Sequence, residues 1–256
     1  DEGFFVRVHA AEALILNNYP EGVEEVFTSL QKASPDYFVG STRILARVYK
    51  NDANKYSEVI DLLVDRVQNA DVIRQRLTAL ESLGKLGYKK PLPEIVEYSN
   101  TGQDGFKGMA RWVLANSGTE EDESRLAELL ISSDVTDYRG TSYAIRFIDK
   151  IRPATFSLLE ETANRLPNDA PGKAYVLSAL FVHTPPEQNE KVKLALLSYL
   201  KGEVPERYEV AEALSLAGTL SDMPVLEQLL QDPDMDVRVA AANAVIKIQN
   251  RSANIN

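Results

Sequence analysis

Four residues combine charge, aromatic surface and regular spacing. Arg139, Tyr143, Arg146 and Lys150 stand at intervals of four, three and four. On a helix that spacing lays the four side chains along one stripe. A guanidinium offers paired N–H donors to an oxyanion, and a tyrosine ring adds a face for a cation or a flat ligand. In a chain of net charge −10, the stripe reads as a site for an acidic partner or an anionic glycan. Ala144, Ile148 and Ile151 fall on the neighbouring stripe and are expected to face a core, so the spacing predicts a helix over 138–151. The competing reading is a solvated outer face, which shows the same residue types.

Other chemistry is sparse. The histidines are His9 and His183, neither followed by Glu nor set at HExxH spacing. A lone His on an amphipathic helix reads as structural or solvated. There is no Cys, which excludes disulfides, thiolate metal sites and a Cys nucleophile. No GxSxG, GxxxxGK[ST] or GxGxxG occurs. No catalytic residue, metal or cofactor is therefore expected. Gly102, Gly105 and Gly108 precede a predicted helix. Free N–H groups there suit an anion. The plainer reading is a loop, with Gly108 making room for Trp112, because helical side chains lean toward the N-terminus. Glu120-Glu121-Asp122-Glu123 lacks the alternating ligands and fixed glycine of a calcium loop. It reads as a helix start, where the dipole favours carboxylates.

The 256 residues are 44% hydrophobic, enough for a continuous core. Lys+Arg 28 against Asp+Glu 38 repels phosphate backbones, so nucleic acid is not an expected partner. No apolar run reaches the roughly 18 residues of a membrane-spanning helix. The chain begins with Asp1, which reads as a processed or excerpted form.

The elements that would carry these residues repeat. Val6 to Leu14 reads VRVHAAEAL and Val237 to Val245 reads VRVAAANAV, an offset of 231 residues, or seven periods of 33. Small residues mark the intermediate copies: Ala13, Ala46, Ala79, Trp112, Ala144, Ala179, Ala213 and Ala244. Trp112 makes the fourth copy the weakest. First helices are predicted near 5–17, 37–49, 72–86, 105–117, 138–151, 172–183, 207–218 and 236–249. Between them lie further amphipathic stretches, such as Glu21 to Ala33, Tyr56 to Val67, Ser124 to Ser133 and Asn189 to Leu200. Thr184-Pro185-Pro186-Glu187 reads as a capping box, and Pro20, Pro153 and Pro224 stand near second-helix starts. No strand-like alternation appears. The expected fold is all-α, an α-solenoid of about seven to eight helix pairs forming one domain over 1–256, with the small residues letting neighbouring helices approach closely.

The segment LLQDPDMDVRVAAANAVIKI, Leu229 to Ile248, resembles a HEAT repeat of the kind found in bilin-lyase-like proteins. Asp232, Pro233, Asp234, Val237, Arg238, Ala241, Ala242 and Ala244 carry the pattern, and Val6, Arg7, Ala10, Ala11, Ala13 and Leu14 repeat it at the other end. The resemblance implies a right-handed superhelix and a ladder from the Asp of each turn to the Arg of the next helix. Most interior copies lack the Val-Arg pair, so the ladder is expected to be incomplete. The tetratricopeptide repeat, with a similar period, is disfavoured because its W-x-x-L-G-x-x-Y signature does not recur. HEAT-like hydroxylases of the deoxyhypusine type hold iron with repeated His-Glu pairs, which this sequence lacks.

The resemblance also places second helices on a concave side. They carry Glu24, Glu25, Asp61, Asp65, Glu94, Glu97, Glu128, Glu160 and Glu161, an acidic lining unlike the basic groove of alkylpurine DNA glycosylases built on similar arrays. The implied function is a non-catalytic scaffold or adaptor that binds protein, with Glu24, Asp61, Asp65, Glu94 and Glu128 as partner contacts beside the Arg139 stripe. Alternatives are a glycan- or anion-binding accessory module of a secreted enzyme, or a bilin-lyase-like enzyme. A bacterial, periplasmic or secreted setting is the weakly favoured expectation. The last first helix has no second helix after it, which reads as an array continued or covered by a neighbour.

Overall fold

The computed structural model describes residues 10–11, 13–15, 19, 21–32, 35–103 and 105–253. Among these there is no strand, and the chain is an all-α array of paired helices. It divides into two compact units, Asp1–Glu123 and Ser124–Asn256. His9, Pro20 and most of the first predicted helix lie outside the described residues, where only 10–11 and 13–15 are seen to be helical.

In the first unit, α1 (Glu21–Lys32), α2 (Pro35–Val48), α3 (Ala53–Asn69), α4 (Ile73–Lys85), α5 (Pro93–Thr101) and α6 (Phe106–Ala115) alternate second and first helices. The first helices form one layer, α2 against α4 and α4 against α6. The second helices lean on it: α1 on α2, α3 on α2 and α4, and α5 on α6. The boundary between units falls within α7 (Glu120–Ala127).

The second unit repeats the plan with α8 (Val135–Ile145), α9 (Pro153–Arg165), α10 (Lys173–His183), α11 (Glu190–Leu197), α12 (Val204–Ala217), α13 (Met223–Leu229) and α14 (Met235–Ala253). Here α8, α10, α12 and α14 make the layer, and α9, α11 and α13 lie against it.

Small side chains explain the layers. Ala46, Ala79, Ala144, Ala179, Ala213 and Ala244 are all at 0% exposure. A methyl group at the contact lets helix axes approach to the short end of the usual range, about 8–10 Å. Trp112 occupies the same register and is equally buried. Gly84 on the preceding first helix makes room for it. A Cβ on Gly84 would stand 2.6 Å from the indole Cδ2.

Helix ends follow local chemistry. Asp52 caps α3 by accepting from the Lys55 N–H at 3.2 Å, and Asp134 caps α8 through the Thr136 N–H at 2.8 Å. Pro153 opens α9, and Pro224 is the second residue of α13. The expected capping box at Thr184 is not a helix start. Thr184 closes α10 instead, its N–H and hydroxyl both donating to the Leu180 carbonyl, at 2.9 and 2.7 Å. Two prolines follow and forbid continuation, and α11 begins at Glu190. The helix expected over 138–151 ends at Ile145, where the Phe147 and Ile148 N–H groups tighten to carbonyls three residues back.

Candidate functional site

The end of α8 changes the geometry of the basic stripe. Arg146 is 2% exposed and points inward. Its Nη1 donates to the Ser178 hydroxyl of α10 at 3.0 Å and pairs with the Glu209 carboxylate of α12. The Tyr143 and Phe147 rings flank the guanidinium at 5.0 and 4.9 Å. Arg139 is exposed, with its guanidinium 5.7 Å from the Tyr175 ring, and Lys150 is exposed in the bend beyond the helix. The four residues therefore do not form one surface stripe. The correction has a clear cause: the helix stops before Lys150, and a buried carboxylate captures Arg146.

This buried pair joins three first helices. Burial pushes the Glu209 carboxyl up to about 7; Arg146 pulls it down and Glu212 pushes it up again. Burial alone would lower Arg146, but Glu209 and Glu212 more than offset this, so the guanidinium keeps its charge. Among the described residues its Nε and Nη2 find no acceptor. Taking two charges out of water costs several kcal/mol per ion, which offsets much of the attraction within the pair.

The second helices of the first unit carry carboxylates at their surface. Asp61 and Asp65 are exposed on α3, and Glu97 is exposed on α5. Glu94 is half-buried on α5 and accepts from the Gln68 side chain of α3 at 3.3 Å, which ties the two second helices together. None of these four carboxylates is held in an ion pair among the described residues. Glu24 is exposed on α1. In the second unit Glu128 is exposed in the 3-10 turn Glu128–Ile131 after α7 and is already engaged within the protein.

The second unit also holds a cleft of about 500 Å³ between α9 and α11, floored by α10. Leu177, Leu180 and Val192 give it apolar surface, while Glu160, Asn164 and Lys191 line it with polar groups. The buried Lys173 ammonium donates to the Leu166 carbonyl at 2.6 Å and to Asn168 Oδ1 at 3.0 Å, and the Tyr199 hydroxyl donates to the Asn168 carbonyl at 2.5 Å. These bonds fix one end of the cleft.

Three further features are structural. His183 Nε2 donates to the Ile145 carbonyl at 2.9 Å, tying α10 to the end of α8. Asp232 takes Arg207 through both carboxylate oxygens, at 2.7 and 3.0 Å, and Arg238 of its own repeat donates to the Asp232 carbonyl at 2.7 Å. The rung thus uses the Arg of the preceding first helix, whereas the resemblance implies the Arg of the next helix, Arg238, which binds backbone carbonyls instead. Glu120, Glu121 and Asp122 occupy the first turn of α7, where Thr119 and Ser117 donate to Asp122. Among the described residues no three His, Asp or Glu side chains converge as metal ligands. No described helix is long and apolar enough to cross a membrane.

Sequence reasoning missed Glu209, Ser178, Gln68 and Arg207. Arg207 could have been found, because it stands six residues before the marker Ala213, as Arg238 does before Ala244. Glu209 carries no such signal, since a Glu between Tyr208 and Val210 reads as surface.

Helix pairs repeating about every 33 residues define a helical-repeat protein. Residues 223–251 match the family model for the HEAT repeat, and α13 with α14 is such a repeat. No curated protein matches the chain. Among solved structures, human deoxyhypusine hydroxylase in complex with glycerol is similar at 19% identity and a TM-score of 0.46, over 93% of this chain and 88% of that one. A designed armadillo repeat protein in complex with the peptide (KR)4 is similar at 16% identity and a TM-score of 0.35, over 80% and 99%. An engineered protein is similar at 17% identity and a TM-score of 0.36, over 89% and 96%.

Proposed function

We propose that the chain is a non-catalytic scaffold that binds a protein partner through its second helices. One observation carries this reading: Asp61, Asp65, Glu94 and Glu97 stand on α3 and α5 without ion pairs to other described residues. Charges left uncompensated on a rigid surface steer and select a partner of opposite sign. The partner surface is therefore basic. The test is affinity capture from the cells that encode the chain, using wild type and the Asp61→Lys, Asp65→Lys, Glu94→Lys, Glu97→Lys variant. A protein held by wild type and lost by the variant supports the reading. Identical captures from both defeat it.

The cleft at Leu177 and Leu180 favours a second reading, in which a small molecule binds among converging polar groups, as a bilin-lyase-like activity requires. Co-expression with a bilin and its acceptor protein tests this, and no attachment removes it. Of the four predicted contacts an anionic glycan would find Arg139 and Lys150 exposed and Tyr143 half-buried, with Arg146 out of reach.

A further inference from the structure

In the first unit a cleft of about 310 Å³ opens where α5 ends and α4 and α6 begin, lined by Ile73, Arg76, Glu97, Tyr98, Thr101 and Phe106 among others. Its edge is unusually apolar for a surface: Val72 and Ile73 are 50% and 71% exposed at the start of α4. Deeper in, the Tyr98 and Phe106 rings meet at 4.9 Å.

The cleft is preformed. Arg76 donates through Nε to the Ala70 carbonyl at 2.6 Å and through Nη1 to the Tyr98 hydroxyl at 3.2 Å, which joins the end of α3 to α5. These bonds hold the guanidinium in place without neutralising it, so the cleft lining carries one cation, Arg76, and one carboxylate, Glu97. Gly102 lets α5 and α6 approach, because a Cβ there would stand 2.5 Å from the Tyr98 carbonyl and 2.8 Å from Phe106 Cβ. The volume lies at the small end for ligand sites, which run from about 300 to 1,000 Å³, so it suits one or two side chains rather than a large cofactor.

Its charge surroundings select the occupant. Glu97 lines the cleft, Glu94 precedes it by three residues on the same helix, and Gln68 connects Glu94 to the α3 face that carries Asp65. An apolar side chain with basic neighbours would bury itself against Ile73, Tyr98 and Phe106 while its flanking ammonium or guanidinium groups met these carboxylates. An acidic segment would meet three carboxylates, Asp65, Glu94 and Glu97, against the one cation, Arg76. We infer that this cleft is the anchor point of the partner, taking an apolar side chain of a short basic segment. The inference rests on the scaffold reading and adds the chemistry of the contact.

The probe is the fluorescein-labelled peptide Lys-Lys-Leu-Lys-Lys, compared by anisotropy with Lys-Lys-Gly-Lys-Lys on the full chain. The leucine peptide is expected to bind at least about tenfold tighter. Thr101→Trp, which fills the cleft from an exposed position, and Ile73→Ser, which removes its edge, are expected to erase that preference while far-UV circular dichroism stays unchanged. Equal binding of both peptides to wild type, or a leucine preference retained by Thr101→Trp, overturns the anchor and leaves the acidic face standing. If neither peptide binds, the anchor and the basic-partner reading fall together.

Discussion

Arg146 at the end of α8 and Glu209 on α12, 63 residues apart in sequence, meet as a buried ion pair with Ser178 of α10 hydrogen-bonded to the same guanidinium nitrogen. One interaction thereby fixes the register of three successive first helices. Either partner alone is a liability: Arg146 would keep a buried charge without compensation, and Glu209 would be left as a buried carboxyl forced to take up a proton and lacking its donor. Arg146→Met and Glu209→Leu are each expected to cost about 3–5 kcal/mol in urea unfolding. The Arg146→Met/Glu209→Leu double variant is expected to return to wild-type stability or exceed it by about 1–4 kcal/mol, since matched apolar side chains need no desolvation. Additive losses in the double variant would show that the pair is not the coupled unit described.

Two carboxylates predict opposite pH dependences. Glu209 is raised to about 7 in the folded chain, so the fold binds a proton more tightly there than the unfolded chain does. Its contribution is full below the ordinary carboxylate range and is lost as pH rises through about 7. Asp232 is lowered, first by its hydrogen bonds from Arg207, so its contribution is present above the ordinary Asp range and is lost as pH falls through its folded value. Stability is therefore expected to decline from pH 5 to 8 and also on strong acidification. The first slope should vanish in the Arg146→Met/Glu209→Leu variant and the second should shrink in Asp232→Asn. Chemical unfolding across pH 3–8 checks both, and an alkaline slope unchanged in the double variant would assign it to other groups.

The sequence exposes what repeats and hides what crosses between repeats. The alanine register from Ala46 to Ala244 is readable because the contacts between first helices need a small residue at the same phase, Trp112 excepted, and those alanines are buried. The carboxylates Asp61, Asp65 and Glu97 are readable because a solvated helix face is polar wherever it occurs. Arg146 is misread because spacing alone cannot tell that α8 ends one residue earlier, or that a Glu two first helices away awaits the guanidinium. Thr184 is misread for a related reason: a Thr before two prolines fits a helix start, yet its hydroxyl closes the preceding helix. The clefts are not readable at all, since their walls come from residues far apart in the chain.

Trp112 and Gly84 form a matched large–small contact between α6 and α4. On an exposed helix, Gly→Ala would gain about 1 kcal/mol from helix propensity. Here the new methyl carbon would lie 2.6–2.7 Å from indole carbons that are fully buried. Overpacking of this kind costs typically about 1–3 kcal/mol, so Gly84→Ala is expected to destabilise despite its better propensity. Thermal unfolding with tryptophan fluorescence reads both the loss and the altered indole environment, because Trp112 is the single tryptophan. A stabilised Gly84→Ala variant would mean that the indole can move aside freely.

Arg207 and Asp232 supply the rung that joins the last two first helices. The carboxylate accepts two guanidinium bonds, its Oδ1 also accepts the Asp234 N–H at 2.9 Å, and Arg207 Nη1 donates to the Gly202 carbonyl at 2.6 Å. Arg207 thus holds both the turn before α12 and the turn before α14. Lys presents a point charge where this site uses a planar fork, so Arg207→Lys cannot keep the bidentate contact and the Gly202 bond together. It is expected to loosen the terminal pair α13–α14 while leaving the first unit intact. Hydrogen exchange provides the readout: protection should fall across residues 223–253 and stay constant across α2 to α6. Uniform loss of protection over the chain would instead show that this rung stabilises the whole array, and unchanged protection at 223–253 would show that the rung contributes little.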